Sequence, residues 1–313
     1  HGAQGRVYEV RDRTGRLRVV KQLPWENEMN REDALKEVRL LSSLRHPCIV
    51  PYLENFLVRS SPSLPVEDTL CLVMSRCEHD LRHECARRRK EAAQVKEPRA
   101  LSWLAQLAWG LQHLHARKFL HRDLKPQNIF LASDHETAHI GDFGIAREFG
   151  STKSFCHTFI GTAAYMSPEV IRQQAYGFKS DVWGLGVILY EVCALKRPFD
   201  TDQKNPIMAM QMIVTPEPPP PIPPEANYPP EVARLCASML VKAPAERPTL
   251  ADLCRDHEFL RESLLQYERD IKWEGSLVPT VGKAGQHGAE RERVCYEDVI
   301  NTCLPATTPD LAQ

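Results

Sequence analysis

The chain has 313 residues, and 42% of them are hydrophobic, enough to form the core of a domain with two lobes. Its formal net charge is −1, so no overall field favours nucleic acid or an anionic membrane. The 10 cysteines include no Cys-x-x-Cys pair, which predicts the reduced thiols of an intracellular protein and no structural zinc. No apolar segment is long enough to cross a bilayer, and the first residue is His1 rather than Met. We therefore expect a cytoplasmic protein whose chain extends before residue 1.

The first quarter of the chain predicts a small antiparallel sheet and one helix. Residues 7–10 and 17–21 alternate as strands do, around a turn at 12–15. Apolar residues at helical spacing predict a helix over 30–44. Two more strands, 49–58 and 69–74, flank a polar loop over 59–68 that contains two prolines.

The remainder predicts a mainly helical region. Helical patterns cover 84–97, 100–115, 180–195, 232–240, 250–260 and 261–273. The arginines at 87–89 are expected on a solvated face, and His113 and His115 are expected to be structural rather than metal ligands. The proline-rich run 216–224 fits either a polyproline ligand or a stiff surface connection, of which the connection is favoured. Residues 274–313 lose periodicity, which predicts a linker or a docking segment.

A glycine-rich fragment stands at the start of the chain. Gly2, Gly5 and Val7 fit the second half of a Gly-x-Gly-x-x-Gly-x-Val loop, in which backbone amides approach phosphate oxygens closely. Taken alone, the fragment is a weak signal, and an ordinary turn would be the favoured interpretation.

The most informative stretch is the run His-Arg-Asp-Leu-Lys-Pro-Gln-Asn at 121–128, followed by Asp-Phe-Gly at 142–144. Apolar residues on both sides predict a charged turn that is held between buried anchors and faces a cleft. Asp123 supplies a carboxylate that can take a proton, and Asn128 and Asp142 supply oxygen ligands for a divalent metal. These are the groups that phosphoryl transfer from ATP requires.

The two motifs together resemble the signature of eukaryotic-type Ser/Thr protein kinases. The resemblance covers about residues 1–260 and implies an α+β, bilobal fold. Its small β-rich N-lobe would span 1–74 without the usual first strand, its hinge 75–80 and its larger, mainly α-helical C-lobe 81–260, followed by a C-terminal helix and tail over 261–313. ATP and Mg²⁺ are the implied cofactors, and proteins with Ser or Thr hydroxyls are the implied partners.

The resemblance assigns roles to individual residues. Asp123 would orient the hydroxyl and accept its proton, while Lys125 would meet the γ-phosphate. Asn128 and Asp142 would hold Mg²⁺. Nucleotide binding would involve Gly2, Gly5, Val7, Val19, Lys21, Glu37, Met74, Cys77 and Phe130.

Within that nucleotide set, Lys21 would grip the α- and β-phosphates while paired with Glu37. Out of context, a surface lysine and a solvated glutamate would be the ordinary interpretation. Met74 would be the gatekeeper, Cys77 would lie in the hinge, and Phe130 would form the floor under the adenine.

The resemblance also predicts regulation and two structural contacts. Within the activation segment, 142–169, Thr162 would bond the catalytic Asp and Lys. Thr158 would be phosphorylated, by an upstream kinase or by autophosphorylation, and its phosphate would pair with Arg122. The alternative for Thr158 is an unmodified loop threonine. Asp181 would brace the catalytic loop, and a further pair would join Arg247 to Glu169.

Several local strings resemble the NIMA-related (NEK) kinase family, among them Gln-Asn-Ile-Phe-Leu at 127–131 and Tyr-Met-Ser-Pro-Glu at 165–169. This resemblance implies association with the cytoskeleton, centrosome or basal body. Two departures stand out. Ala163 and Ala164 replace a Pro-Tyr pair, which would reshape the pocket for the residue after the target hydroxyl, and the hinge string at 77–81 is one residue short.

Two other classes compete with an active kinase. A pseudokinase would bind partners without catalysis, but such chains typically lose a residue such as Lys21, Asp123 or Asp142, all of which are present here. A P-loop nucleotide switch is excluded because no Gly-x-x-x-x-Gly-Lys-Ser/Thr motif occurs.

Overall fold

A computed structural model of the protein describes residues 6–25, 27–59, 68–142, 163–199 and 205–274. These residues divide into two compact units. The N-terminal unit contains the described residues of 6–43 and 51–76, and the C-terminal unit those of 44–50 and 77–274.

The N-terminal unit is built on a four-stranded antiparallel sheet. Its strands are β1 (Arg6–Arg11), β2 (Leu17–Pro24), β3 (Tyr52–Val58) and β4 (Thr69–Ser75), in the spatial order β1-β2-β4-β3. The turn predicted at 12–15 is confirmed. Asp12 Oδ1 accepts hydrogen bonds from the backbone N–H groups of Thr14 and Arg16 at 2.9 and 3.0 Å, and Gly15 takes a φ of 82°.

The two-residue period of a strand and the helical period of the helix that follows it determine which faces Lys21 and Glu37 occupy. Val20 is fully buried on one face of the sheet, packed with Val10, Cys71 and Val73. Because side chains alternate along a strand, Lys21 lies on the opposite face. Helix α1 (Glu28–Ser43) buries Glu37, which lies one turn after the buried Ala34.

The strand predicted over 49–58 is shorter than expected. β3 begins at Tyr52, because Pro51 has no N–H to donate to a sheet and interrupts the pairing. Ile49 instead forms an isolated parallel bridge with Ile140, and Val50 N donates to Ile140 O at 2.9 Å. This segment therefore belongs to the C-terminal unit.

The C-terminal unit combines a three-stranded sheet with eight α-helices in the described residues. The strands are β5 (His79–Asp80), β6 (Ile129–Leu131) and β7 (Ala138–Ile140), in that spatial order. The helices are α2 (Leu81–Lys90), α3 (Glu97–Ala116), α4 (Pro168–Ile171), α5 (Phe178–Ala194), α6 (Pro206–Val214), α7 (Pro230–Met239), α8 (Leu250–Asp256) and α9 (Glu258–Glu274).

The core of this unit lies around α3 and α5. Helix α3 packs against α5, α8 and α9, and it buries Trp103 and Leu111. Helix α5 is buried on all sides between Ser180 and Cys193, as expected of a helix that is apolar all round. None of the described helices has the length and apolar character needed to cross a membrane.

Both predicted ends of the helix over 84–97 are wrong. Helix α2 begins at Leu81, because the Asp80 carboxylate accepts a hydrogen bond from His83 N at 2.7 Å and caps it. It ends at Lys90, and Ala92 then takes a left-handed φ of 51°. A new helix, α3, begins at Glu97.

Arg87 and Arg89 of α2 are exposed, as the prediction of a solvated face expects, and Arg88 is half-buried, but all three also form hydrogen bonds within the fold. Arg87 and Arg88 donate to the buried Glu84 at 2.8 and 2.6 Å. Arg89 Nε donates to Leu195 O at 2.6 Å. These hydrogen bonds tie the run into the fold, because a buried carboxylate needs donors to offset its desolvation.

Candidate active site

The predicted catalytic loop lies between α3 and β6. His121, Asp123 and Leu124 are buried, and Pro126–Asn128 form a 3-10 turn that leads into the buried strand β6. The loop is therefore held between apolar anchors, as the sequence predicts.

The loop brings three of the predicted site residues together. Lys125 Nζ donates to Asp123 Oδ2 at 2.8 Å, and Asn128 Nδ2 donates to the same oxygen at 3.0 Å. Asn128 Nδ2 also reaches Asp123 O at 2.8 Å and Asp142 O at 3.5 Å. The result is a buried carboxylate beside one ammonium and one amide, with the backbone of a second aspartate next to the same amide.

Asp181 holds the backbone of this loop in place. One carboxylate oxygen accepts from His121 N at 3.1 Å and the other from Arg122 N at 3.3 Å. The side chains of His115 and Tyr176 bond the same carboxylate at 2.8 and 2.5 Å. Burial alone would raise the pKa of Asp181, but the hydrogen bond and charge of His115, with the other contacts, leave that pKa lowered. The predicted bracing role is confirmed.

His121 links the loop to the residue that precedes Asp142. Its Nδ1 accepts from Asp123 N at 3.3 Å, so the Nε2 that contacts Gly141 O at 3.1 Å must carry the proton. Burial lowers the pKa of His121, which agrees with a neutral ring. Arg122 and Asp142 take left-handed φ values of 66° and 50°, which are uncommon for residues with a Cβ and mark a constrained backbone.

The predicted ion pair of the N-terminal unit is present. Lys21 Nζ donates to Glu37 Oε1 at 2.8 Å across a sequence separation of 16 residues. Both side chains are 7% exposed. Charges that are this buried are kept only when paired, so a solvated helix glutamate is the wrong interpretation of Glu37.

The other residues predicted to bind nucleotide are distributed as follows. Val19 pairs with Met74 across β2 and β4, and Val7 is exposed on β1. Cys77 is half-buried just before β5. Phe130 lies on β6, and its ring is so close to Gly141 that a Cβ there would be 2.8 Å away. Gly2 and Gly5 lie outside the described residues.

Most of the predicted activation segment, including Thr158 and Thr162, also lies outside the described residues. The segment is described from Ala163 onwards. There the predicted pair is present: Arg247 binds Glu169 through two hydrogen bonds of 2.9 and 3.1 Å. Burial would raise the pKa of Glu169, but Arg247 and Ser180 outweigh it and lower that pKa.

A cavity opens beside Asp123. Arg122, Tyr165, Met166 and Tyr176 are among the residues that line it. The two alanines before Tyr165 are buried in a 3-10 turn. Tyr165 donates to Glu191 Oε2 at 2.7 Å, which anchors this wall of the cavity to α5.

Sequence reasoning missed several residues that shape the site. Tyr176 and His115 complete the ring of donors around Asp181. Gly184 allows α5 to approach the loop, since a Cβ there would lie 2.9 Å from Cβ of Leu124. Gly141 likewise allows close packing, because a Cβ there would collide with the ring of Phe130. The sequence shows that these two positions are glycines. Only the packing shows which neighbours need the space that a Cβ would occupy.

The fold and the site define a class of protein. An antiparallel sheet with a buried Lys–Glu pair, a braced His-Arg-Asp loop and a following Asp are the parts of a protein kinase. The family profile described as "Protein kinase domain" matches residues 1–260. The chain belongs to the protein kinase family, and the predicted α+β kinase fold is confirmed.

Within that family, the chain is similar to NEK kinases. It is 32% identical over 302 residues to "Serine/threonine-protein kinase Nek1" of Mus musculus, covering 93% of this chain and 23% of that protein. It is 36% identical over 258 residues to mouse Nek4, covering 81% of this chain and 31% of that protein. For mouse Nek2 the identity is 39% over 207 residues, covering 63% of this chain and 45% of that protein. The predicted NEK resemblance is confirmed, and the chain spans less than half the length of these relatives.

Proposed function

We propose that this chain is a Ser/Thr protein kinase that transfers the γ-phosphoryl group of ATP to protein hydroxyls. The observation that carries the proposal is the convergence of Lys125 and Asn128 on the buried carboxylate of Asp123. The kinase family implies ATP as the phosphoryl donor and proteins as substrates, and the NEK relatives are Ser/Thr kinases by name.

In the proposed mechanism, Asp123 orients the substrate hydroxyl and accepts its proton. Lys125 Nζ, 2.8 Å from that carboxylate, supplies positive charge where the transferred phosphoryl group gains negative charge. Because Asn128 commits its Nδ2 to Asp123, its Oδ1 is the atom left to act as a metal ligand, together with the Asp142 carboxylate. Oxygen donors suit Mg²⁺, which would neutralise phosphate charge when bound.

We assign the phosphates of ATP to Lys21, held in place by Glu37. The support is the burial of both charges, which an incidental surface pair would not need. Gly2, Gly5, Val7, Val19, Met74, Cys77 and Phe130 complete the proposed nucleotide set. The proposed domain is 1–260, with an N-lobe over 1–74, a hinge over 75–80 and a C-lobe over 81–260, followed by a helix and tail over 261–313.

The proposed regulation is phosphorylation of Thr158, by an upstream kinase or by the chain itself. The phosphate would pair with Arg122, and Thr162 would bond Asp123 and Lys125. We infer a cytoplasmic protein associated with the cytoskeleton, centrosome or basal body, from its likeness to NEK kinases.

The test is Asp123→Asn in the full chain, assayed with radiolabelled ATP and a generic protein substrate. We expect kcat to fall by roughly 10²–10⁴-fold, because the general base is lost while the positions of Lys125 and Asn128 change little. The melting temperature and the KM for ATP should stay close to those of the wild type. Asp256→Asn, at an exposed helix end, is the matched control and should retain full activity.

A pseudokinase is the alternative outcome. It would give no phosphotransfer above background in either the wild type or the control. Equal single-turnover rates in the wild type and Asp123→Asn would also contradict the assigned role of Asp123.

A further inference from the structure

Three side chains that can ligate a metal meet near the start of α2. His79 comes from β5, Glu84 from the first turns of α2, and His135 from the turn between β6 and β7. Their ligand atoms all lie within 4.8 Å of one another. All three belong to the C-terminal unit, and the proposed phosphoryl transfer uses none of them.

One ligand atom of this cluster is Nε2 of His79. It is buried and has no hydrogen-bond partner among the described residues. Oε2 of Glu84 lies 3.5 Å away, which is long for a hydrogen bond but close to the edge of a tetrahedron around one ion with bonds of about 2.1 Å. The rings of His79 and His135 have centroids 4.8 Å apart, so a small ring rotation can bring both to one ion.

Neighbouring groups hold two of these three residues in position. Arg88 donates to Oε1 of Glu84 and Arg87 to both carboxylate oxygens, as outer-shell groups often do to a ligating carboxylate. The carbonyl of His135 accepts from Arg99 Nη1 at 2.9 Å, and its backbone is held at a φ of 57°. The exposed His83 has its ring centroid 5.3 Å from that of His79.

We propose that His79, Glu84 and His135 bind a divalent transition metal, with Zn²⁺ as the best match. Two imidazoles and one carboxylate, with a fourth position for water or His83, form a ligand set that Zn²⁺ accepts. Mg²⁺ and Ca²⁺ prefer all-oxygen sites and fit poorly. The ion would join β5, α2 and the β6–β7 turn, and so stabilise the C-terminal unit.

This proposal differs from the expectation of no structural zinc that the cysteine spacing supports. Motif spacing detects ligands that are close in sequence. Here His79 and Glu84 are close in sequence, but the sheet brings the β6–β7 turn with His135 to a strand more than fifty residues earlier, so no short motif covers all three ligands. The guanidinium groups of Arg87 and Arg88 add positive charge nearby, and we therefore expect weaker binding than at a structural zinc site with thiolate ligands.

The test is calorimetric titration of the full metal-free chain with Zn²⁺, without nucleotide, and a parallel titration with Co²⁺ followed by visible absorption. We expect one ion per chain and a rise in melting temperature. His135→Asn is the main variant, because Asn tolerates the left-handed backbone of that turn while it removes the imidazole. It should weaken binding at least tenfold. His79→Gln should do the same.

His257→Asn is the matched control, since this ring packs on Phe259 away from the cluster, and it should bind as the wild type does. All variants should melt like the wild type in chelator. The proposal is overturned if the wild type takes up no Zn²⁺, or if His135→Asn and His79→Gln both bind it normally. A Co²⁺ spectrum with thiolate charge-transfer bands would also overturn it, because the ion would then sit on cysteines.

Discussion

The bracing of the catalytic loop by Asp181 gives a sharp prediction for Asp181→Asn. The carboxylate accepts four hydrogen bonds, two from the backbone N–H groups of His121 and Arg122 and two from the side chains of His115 and Tyr176. Asparagine has the same shape but offers one oxygen and one NH₂ group. Whichever way the amide is placed, its NH₂ faces one of the two backbone N–H groups.

The free-energy cost of Asp181→Asn follows from the hydrogen bonds that the amide cannot accept. His115 and Tyr176 can each accept as well as donate, so they can adapt to an NH₂ group, but a backbone N–H cannot. One buried N–H of the loop is therefore left unsatisfied, which costs about 1–3 kcal/mol. The remaining bonds lose a charged acceptor, which adds about 1 kcal/mol. We expect a total destabilisation of about 2–4 kcal/mol, concentrated in the loop.

Two measurements check this result in the full chain. Hydrogen–deuterium exchange should show loss of protection in peptides that cover His121 and Arg122, and urea denaturation should show a lower midpoint. The exposed Asp256→Asn should change stability by no more than about 0.5 kcal/mol. If Asp181→Asn keeps both loop protection and the wild-type midpoint, the bracing argument fails.

Two further predictions concern stability. Arg247→Met leaves the buried Glu169 carboxylate without its ionic partner, so urea denaturation should show that the free energy of unfolding falls by about 3–5 kcal/mol. The exposed Arg255→Met should change it little. Burial lowers the pKa of His46 from 6.5 to about 4, so the unfolded chain binds more protons than the folded chain between these values. His46 should therefore make stability fall as the pH drops from 6.5 towards 4, and His46→Gln should flatten that slope in denaturation midpoints measured across this range.

Each of these has a contradicting outcome. Equal stability of Arg247→Met and Arg255→Met would mean that Glu169 finds other donors or becomes protonated at little cost. Identical pH slopes for the wild type and His46→Gln would mean that His46 is neutral or charged to the same extent in both states.

Local sequence determined much of the fold and the identity of the site. The strand alternation around Val20 and Lys21 and the helical spacing around Glu37 predicted their elements, because burial of one face imposes a period on the residues that form it. The His-Arg-Asp run and the later Asp142 were sufficient to predict a kinase. These features are carried by neighbours in sequence, so they can be recognised without the tertiary structure.

Only the tertiary structure decided how those residues are held. The arginines of α2 donate to Glu84, which the fold buries, and to the carbonyl of Leu195, which lies 106 residues after Arg89. The left-handed backbone at Arg122 is held beside the carboxylate of Asp181, which lies 59 residues away along the chain. The cluster of His79, Glu84 and His135 exists because the sheet joins distant segments. Burial and long-range packing set these contacts, and no periodicity along the chain encodes them.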